Sequence, residues 1–265
     1  MDLGLRDRVC VVTGASGGFG GAVAAMLARE QAAVVLVGRR PEPLEALARR
    51  CAELGGRAAP LPLDVTAADA GERVVAACES RFGRIDALVN SAGTTAVRSL
   101  EELTDEDWQS QWELNVLAPM RLMRAAAPRM AQRGFGRIVN VCSSSGKRPS
   151  LTNAAYSVTK AAQLALSRVY ADSYADRGVL VNAVAPGPVA TGLWMAEGGL
   201  ADQVAEAKGV SRDEALAAQR AKLPLGRFGT EEEIAAVIAF LCSERASNVA
   251  GATWSVDGGA VPLFI

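Results

Sequence analysis

A tyrosine, a lysine and a serine near the middle of the chain have the types and spacing to move a proton to or from an oxygen atom. Tyr156 and Lys160 are four residues apart, which places a phenol and an ammonium group on one face of a helix. A free phenol has a pKa near ~10, and a neighbouring cation favours the phenolate and lowers that value. Ser143 ends a strand-like run, where its hydroxyl could donate to a developing alkoxide. The set predicts acid–base chemistry on an alcohol or a ketone.

The absence of histidine limits the other catalysts that this chain could use. Serine–histidine and cysteine–histidine nucleophile systems are excluded, as are histidine-based metal sites. The cysteines are odd in number and lack CxxC spacing, which argues against a disulfide framework or a zinc site and predicts small buried side chains. They are Cys10, Cys51, Cys78, Cys142 and Cys242. We therefore predict no metal, and proton chemistry carried by Tyr, Lys, Ser, Asp, Glu or water.

A glycine-rich loop, TGASGGFG at residues 13–20, follows the first strand-like run and precedes an alanine-rich helix. Glycines let backbone N–H groups approach a pyrophosphate, and the helix start adds its positive dipole. The loop residues expected at a dinucleotide are Gly14, Ser16, Gly18, Phe19 and Gly20. Gly14–Gly18 also matches the G-x-S-x-G elbow of serine hydrolases, but a serine nucleophile there needs a base that no histidine supplies. In this position the loop favours a dinucleotide site.

The second strand-like run ends in Gly38, Arg39 and Arg40. Enzymes that prefer NAD usually place an acidic residue here to bind the ribose 2′-hydroxyl. Guanidinium groups instead suit a 2′-phosphate by charge and by bidentate geometry. Arg39 and Arg40 therefore predict NADP(H) in preference to NAD(H).

Apolar, β-branched runs alternate with amphipathic stretches along the whole chain. The strand-like runs are Arg8–Thr13, Ala33–Gly38, Arg57–Leu63, Asp86–Asn90, Arg137–Val141, Val179–Val184 and Thr253–Val256. The helical patterns are Gly18–Glu30, Pro41–Leu54, Ala67–Phe82, Asp105–Ala131, Ala154–Arg177 and Thr230–Ser243. This alternation predicts an α/β fold: one doubly wound Rossmann domain over residues 1–265, with a seven-stranded parallel sheet and helices on both faces.

One long segment, Pro188–Arg227, interrupts the rhythm between the sixth strand and the last helix. We call it the excursion and predict that it covers the substrate as a lid. Ser211 and Glu214 have the spacing of a capping box, which predicts a short helix inside it.

Taken together, these motifs resemble the short-chain dehydrogenase/reductase family, in its branch of short single-domain members. The resemblance covers nearly the whole chain. The residues that carry it are Thr13–Gly20, Asp64-Val65, Asn90-Ser91-Ala92-Gly93, Asn115, Ser143, Tyr156–Lys160, Pro186-Gly187, Pro224-Leu225-Gly226-Arg227 and Asp257-Gly258-Gly259. It implies a hydride transfer between NADP(H) and a secondary alcohol or ketone. Reduction of a 3-oxoacyl thioester is the alternative, because similar proteins carry it out.

The resemblance also implies roles for individual positions. Tyr156 would be the general acid in reduction and the base in oxidation, Lys160 would bind the nicotinamide ribose and lower the tyrosine pKa, and Ser143 would polarise the substrate oxygen. The further cofactor positions are Asp64 and Val65 at the adenine, Asn90, Ala92 and Gly93 at the adenosine ribose, and Val189 and Thr191 at the carboxamide, with Pro186 and Gly187 as additional cofactor contacts.

Asn115 lies in the middle of a predicted helix, four residues before Pro119. Since proline has no N–H, the Asn115 carbonyl loses its usual helical donor. That carbonyl could hold a water, and the family resemblance implies a water there that relays protons to the lysine. A simple kink is the other interpretation.

Two positions depart from the family pattern. Ser91 stands where a second asparagine is frequent, which should alter only local loop bonding. Gly17 stands where NADP-preferring relatives often carry a basic residue, which leaves the 2′-phosphate to Arg39 and Arg40.

Substrate specificity is expected in the excursion, whose bulky residues Trp194 and Met195 could either close over an apolar or cyclic substrate or only pack the excursion onto the body. Other candidate wall residues are Thr94, Thr95, Ser145 and Asn153.

The remaining expectations concern partners. A net charge of −1 gives no sign of nucleic acid or an anionic membrane as partner, and the lack of a long apolar run predicts a soluble cytoplasmic protein. Family members commonly form tetramers through their long fifth and sixth helices, and the apolar tail Val261–Ile265 could be buried at such an interface. The rival functions are a non-catalytic dinucleotide-binding protein and an acyl-transfer enzyme based on S-x-x-K, a spacing found at Ser144–Lys147 and Ser157–Lys160.

Overall fold

A computed structural model describes residues 2–262 and shows a seven-stranded parallel sheet. The strands are β1 (Val9–Thr13), β2 (Ala33–Gly38), β3 (Arg57–Pro62), β4 (Ala87–Asn90), β5 (Gly136–Val141), β6 (Val179–Pro186) and β7 (Thr253–Val256). Their order across the sheet is β3-β2-β1-β4-β5-β6-β7. The predicted doubly wound architecture is confirmed.

Helices connect the strands along the chain. They are α1 (Gly18–Arg29), α2 (Pro41–Glu53), α3 (Ala70–Phe82), α4 (Asp105–Trp112), α5 (Ala118–Gln132), α6 (Ser144–Lys147), α7 (Ala154–Tyr174), α8 (Gly192–Met195), α9 (Leu200–Lys208), α10 (Arg212–Arg220) and α11 (Glu231–Cys242). A π-helical turn, Glu113–Leu117, joins α4 to α5, and 3₁₀ turns follow α7 at Ala175–Arg177 and α11 at Glu244–Ala246.

The sheet is buried on both faces because successive residues of its strands enter different cores. Cys10 and Val12 of β1 pack in a core with α1, α2 and α11, whereas Val9 and Val11 pack in a second core with α3, α5 and α7. This two-sided burial explains why β1 and β2 are almost entirely apolar rather than alternating with polar residues.

The structure is more finely divided than the sequence indicates. The predicted helix Asp105–Ala131 is two helices around the π turn, and the excursion contains three helices, of which only α10 was predicted. Its capping box is present: the Ser211 hydroxyl accepts from the Glu214 amide and the Glu214 carboxylate from the Ser211 amide. The predicted role of the tail at an interface concerns residues 261–265, of which 263–265 lie outside the described residues.

All five cysteines are buried and reduced, as predicted. Across residues 2–262, no helix is both long enough and apolar enough to span a bilayer. Within the same range, no three His, Cys, Asp or Glu side chains converge as metal ligands would.

Candidate active site

The candidate site lies at the carboxyl edge of the sheet, where the strand order reverses between β1 and β4. Ligands of doubly wound sheets bind at such a point. The Thr13 hydroxyl joins the two strand ends: it donates to the Val89 carbonyl at 3.3 Å and accepts from the amides of Ser91 and Ala92 at 3.0 and 3.1 Å. This bridge holds the loop after β4 beside the glycine loop after β1.

Two glycines of the loop pack closely against neighbouring backbone, and two others have free space around them. A Cβ on Gly14, whose φ is +67°, would lie 2.9 Å from the Ala92 Cα, and a Cβ on Gly20 would lie 2.4 Å from the Gly14 carbonyl oxygen. In contrast, Cβ atoms on Gly17 and Gly18 would meet nothing within 4 Å. Phe19 packs against the core beneath the loop. The loop thus exposes backbone at the start of α1, which fits a pyrophosphate.

The rim next to this loop is positively charged. Arg39 and Arg40 are exposed at the end of β2. Asp64 accepts hydrogen bonds from the Thr66 amide at 3.0 Å and the Thr66 hydroxyl at 2.8 Å, and these bonds, with a smaller effect of Arg39, hold the pKa of its carboxyl below the usual range. Val65 is buried beneath this rim. A groove of about 230 Å³ starts at Ser16, Gly17 and Gly18 and runs between α1 and α2.

The loop after β4 begins with a buried amide. Asn90 is buried and donates from Nδ2 to the Asn140 Oδ1 at 2.8 Å, so it ties β4 to β5 from within the sheet. Ala92 and Gly93 follow at the edge, with Ala92 half-buried and Gly93 exposed. Asn90 is therefore placed to support the loop, while Ala92 and Gly93 lie on its accessible side.

Ser143 stands where β5 passes into the short helix α6. Its hydroxyl oxygen accepts a hydrogen bond from the Ser145 amide at 3.1 Å. That bond occupies a lone pair of the oxygen and leaves the hydroxyl proton to be donated. Ser143 can therefore donate to an oxygen atom placed in the cleft.

The Tyr156 phenol differs from the sequence expectation in the sign of its pKa shift. Burial raises its pKa to about 12, and the interaction with the Ser143 hydroxyl only partly opposes that rise. The Lys160 Nζ is 5.5 Å from the centre of the tyrosine ring. The expectation of a lowered pKa rested on the nearby cation, whereas burial of the phenol is the largest cause of the shift here. Tyr156 therefore holds its proton at neutral pH.

The ammonium group of Lys160 is buried, with 3% of the residue exposed. Its Nζ donates to the Val141 carbonyl at 2.8 Å and to the Gln163 Oε1 at 2.9 Å. Burial lowers the pKa of Lys160 to about 8. The group can thus exchange a proton near physiological pH.

Asn115 lies in the π turn, where the Ala118 amide donates to the Glu113 carbonyl five residues earlier. The helix therefore widens just before Pro119, as expected where a backbone donor is lost. The Asn115 Nδ2 donates to the Gln111 Oε1 at 2.8 Å and the Thr159 hydroxyl at 3.2 Å.

The Asn115 Oδ1 is buried and has no hydrogen-bond partner within the described chain. A Cβ on Gly93 would lie 3.4 Å from this oxygen and 3.6 Å from the Lys160 Nζ. The asparagine amide and the lysine ammonium therefore face the same small space beside the loop after β4.

The end of β6 carries the residues expected near the carboxamide. Gly187 comes so close to β7 that a Cβ would lie 2.8 Å from the Asp257 Cα. Val189 pairs with Gly229, and the Thr191 carbonyl accepts the amides of Trp194 and Met195, which begins α8. Pro186 is buried in the same turn. These contacts anchor the first residues of the excursion at the sheet edge.

The predicted substrate residues fall into two groups. Thr95 and Asn153 line a cavity of about 40 Å³ beside Tyr156, whereas Thr94 on the loop after β4 and Ser145 on α6 are not among its lining residues. Trp194 and Met195 instead pack against a small cluster of Ala201, Leu216 and Phe228, where the Trp194 ring meets the Phe228 ring edge-on at a centroid distance of 5.2 Å. The packing interpretation accounts for the contacts of these two side chains.

Three glutamines at the site were not anticipated: Gln111, Gln163 and Gln203. The positions of two of them could have been recognised from the sequence. Gln111 precedes Asn115 by four residues and Gln163 follows Lys160 by three, so both lie on the same helix face as a predicted site residue. The third, Gln203, lies far from any motif.

A parallel sheet with a glycine loop after its first strand defines the Rossmann class of dinucleotide-binding proteins. Residues 14–261 match the family model described as enoyl-(acyl carrier protein) reductase. The 3-oxoacyl-(acyl-carrier-protein) reductase FabG of Thermotoga maritima is 35% identical over 259 residues, which cover 97% of this chain and 99% of that protein.

Solved structures of similar proteins support the same family assignment. The L-sorbose reductase of Gluconobacter frateurii, in complex with NADPH and L-sorbose, is 35% identical with a TM-score of 0.92 over 100% of both chains. The 3-oxoacyl (acyl-carrier-protein) reductase of Agrobacterium tumefaciens C58, with NADP bound, is 33% identical with a TM-score of 0.86 over 97% of this chain and 95% of that chain. The chain belongs to the short-chain dehydrogenase/reductase family and is an oxidoreductase of that family.

Proposed function

We propose that this protein transfers a hydride between NADP(H) and a small ketone or secondary alcohol, with Tyr156 as the general acid or base. The observation that carries the proposal is the position of Ser143, Tyr156 and Lys160 at the same sheet edge as the open glycine loop. When bound, the nicotinamide would supply the hydride for the substrate carbon or take it up.

The residues present fit this cofactor. Gly14 and Gly20 allow close backbone contact, and the open space at Gly17 and Gly18 leaves the start of α1 free for the pyrophosphate. Arg39 and Arg40 would take the 2′-phosphate, and the NADP and NADPH held by the two solved relatives support that choice. Comparing kcat/KM for NADPH and NADH, in the wild type and in Arg39→Asp, tests the assignment; a wild-type preference for NADH would refute it.

Each side chain of the candidate site would have its own role in the proton transfer. The Ser143 hydroxyl donates a hydrogen bond to the substrate oxygen, while Tyr156 transfers its proton to that oxygen in reduction. Lys160 then returns a proton towards Tyr156, and Asn115 sits where a relay from solvent would pass. The raised pKa keeps the phenol protonated at neutral pH, so Tyr156 carries the proton that reduction of a ketone requires.

Replacing Tyr156 by phenylalanine gives the direct test, with oxidation of NADPH followed at the nicotinamide absorbance. We expect turnover to fall at least a hundredfold with NADPH binding retained, because general acid catalysis contributes about 10²–10⁴-fold. Unchanged turnover would remove Tyr156 from the mechanism. Loss of turnover together with labelling of Ser144 or Ser157 by an acylating probe would favour the acyl-transfer rival, and cofactor binding without turnover of any substrate would favour the non-catalytic one.

The excursion, residues 188–227, would act as the lid of a single domain. Ala201 and Leu216 of the excursion pack with Phe228, the residue that follows it, in a small core separate from the two cores of the sheet. Thr95 and Asn153 line the cavity beside Tyr156, and we propose that Thr94 and Ser145 complete the substrate wall, because hydroxyl and amide groups suit a hydroxylated ketone.

Reduction of a 3-oxoacyl thioester is the second candidate, supported by the 35% identity to the Thermotoga maritima reductase. A panel containing a ketose, a cyclic ketone and a 3-oxoacyl thioester separates the two. Preference for the thioester by more than tenfold in kcat/KM would replace the small ketone as substrate.

We also propose a homotetramer. Val158 and Val169 of α7 and Trp112 of α4 are exposed apolar side chains on long helices of the body. Sedimentation equilibrium of the wild type tests this, with Val169→Glu expected to dissociate the assembly; a monomeric wild type would refute it.

A further inference from the structure

The strongest unassigned contact in the site is the bond between Lys160 and Gln163. Gln163 is one helical turn beyond Lys160 on α7, and 1% of the residue is exposed. Its Oε1 lies 2.9 Å from the Lys160 Nζ. A buried amide oxygen that accepts from an ammonium is a charge-assisted contact, which is stronger than one between neutral groups.

Burial by itself favours the neutral amine, yet the relay needs an ammonium group. The neutral acceptors that oppose this effect are the Val141 carbonyl and the Gln163 Oε1. The first belongs to the backbone and is present whatever the sequence. The second depends on the residue at position 163, and an apolar side chain there would leave one proton of the ammonium without that acceptor.

Other charges do not replace this acceptor. The titratable groups that face Lys160 are Tyr156 on the same helix and the Cys142 thiol at the end of β5, and burial raises the pKa of both to about 12, so both are neutral.

Charged groups on the neighbouring elements are engaged elsewhere. Glu113 of the π turn pairs with Arg121 at 3.0 Å, Lys147 of α6 donates to Ser255 at 3.0 Å, and Asp107 of α4 pairs with Arg98 at 3.2 Å. The charge state of Lys160 therefore depends on neutral dipoles around it.

We propose that Gln163 is a positioning residue for Lys160: its side-chain carbonyl holds the ammonium between Tyr156 and Asn115 and keeps it protonated inside the protein. The consequence for catalysis rests on the proposed function. The effect on Lys160 itself does not, because it arises in the protein without substrate or cofactor.

The test uses two replacements close to glutamine in size, Gln163→Met and Gln163→Glu. The chain has only four lysines, Lys147, Lys160, Lys208 and Lys222, so ¹³C-lysine labelling gives a simple spectrum in which Lys160→Met assigns the resonance. Titration of the Lys160 ε-carbon then gives its pKa in the cofactor-free protein.

Opposite shifts are expected. Methionine removes the acceptor and should lower the Lys160 pKa by about one unit, whereas glutamate adds a negative charge and should raise it by about one unit or more. Ser167→Ala, one turn further along the buried face of α7, is the matched control and should leave the pKa unchanged. The pH at which kcat falls in alkaline solution should shift in the same direction as the Lys160 pKa in each variant.

The proposal is overturned if the Lys160 pKa is the same in both variants, or if both move it in one direction as general disruption would. Should the pKa shift as expected while Tyr156→Phe keeps full turnover, the proposed function fails and the role of Gln163 stands. If either variant does not fold, the other retains the test, because each predicts its own sign.

Discussion

The Val97 amide donates to the Gln203 Oε1 at 2.9 Å, so the loop after β4 is bonded to helix α9 of the excursion, 106 residues later in the chain. The Gln203 Nε2 in turn donates to the Gly198 carbonyl at 2.9 Å. Val97 lies two residues beyond Thr95, the second of the predicted wall residues Thr94 and Thr95. One side chain therefore connects the proposed lid to the wall of the proposed substrate site.

We predict that Gln203→Leu weakens substrate capture. Loss of one such hydrogen bond costs about 1 kcal/mol, which corresponds to roughly a fivefold increase in KM, with kcat changed much less. Initial rates over a range of ketone concentrations measure both constants. Gln219→Leu, on α10 of the same segment, is the control and should leave KM unchanged; an equal rise in KM for both variants would show that the Val97 contact is not the cause.

Two glycines of the same loop should respond in opposite ways to substitution. Gly17 has open space around its Cβ position, so Gly17→Arg should fold and, by adding a cation near Arg39, tighten NADPH binding about tenfold without tightening NADH binding. Gly20→Ala should abolish binding of both, because its Cβ would lie 2.4 Å from the Gly14 carbonyl oxygen. Fluorescence titration with each nucleotide measures the Kd values. Equal tightening of NADH would place the new arginine away from the 2′-phosphate.

Ketone reduction should lose activity above about pH 8. The pKa of Lys160 is lowered to about 8, so the ammonium is present below that pH and lost above it. Tyr156, with a pKa of about 12, remains protonated throughout and cannot cause this loss. Measuring kcat between about pH 6 and 10.5 tests whether activity falls near about pH 8. In Lys160→Arg, this fall in kcat should move to higher pH. A profile that is flat to pH 10 would exclude Lys160 as the titrating group.

The folded protein should lose stability in alkaline solution through its buried thiols. Burial raises the pKa of Cys51 to about 11 and those of Cys78, Cys142 and Cys242 to about 12, from 9.0. Above pH 9 the unfolded chain therefore releases protons that the folded chain keeps, so the free energy of unfolding falls as pH rises. Each thiol contributes about 1.4 kcal/mol per pH unit. Between about pH 8 and its ordinary pKa of 10.5, Lys160 has the opposite effect and raises the free energy of unfolding with pH. Because it is a single group, the four thiols together outweigh it.

Urea unfolding at pH 8, 9, 10 and 10.5, with reductant present, measures the slope. Cys78→Ala removes one thiol and should make the slope shallower by about 1.4 kcal/mol per pH unit. A free energy of unfolding that does not change from pH 8.5 to 10.5 would contradict the prediction.

The strands and the glycine loop could be predicted because most of their signals are local. The valine-rich runs of β1 and β2 are buried at every position, as in a sheet covered on both faces. Gly20 is required by a backbone contact with Gly14 in the same loop, whereas the close contact of Gly14 is with Ala92 of the loop after β4. An irregularity in the helix before Pro119 was predicted, because proline removes a backbone donor in any surroundings, but the π turn at 113–117 was not. The helices α8 and α9 were not predicted, since they are short and take part of their burial from Phe228 and Leu216 much later in the chain.

The sequence by itself determined the class of fold, the glycine loop after β1 and the spacing of Tyr156 and Lys160, since these depend mainly on patterns within short stretches of chain. Only the tertiary structure decided the protonation behaviour of that pair, because desolvation depends on everything packed around a group. The same holds for the partners of Lys160 and Val97: Gln163 and Gln203 are ordinary helix residues until folding brings an ammonium and a loop amide to their carbonyl oxygens.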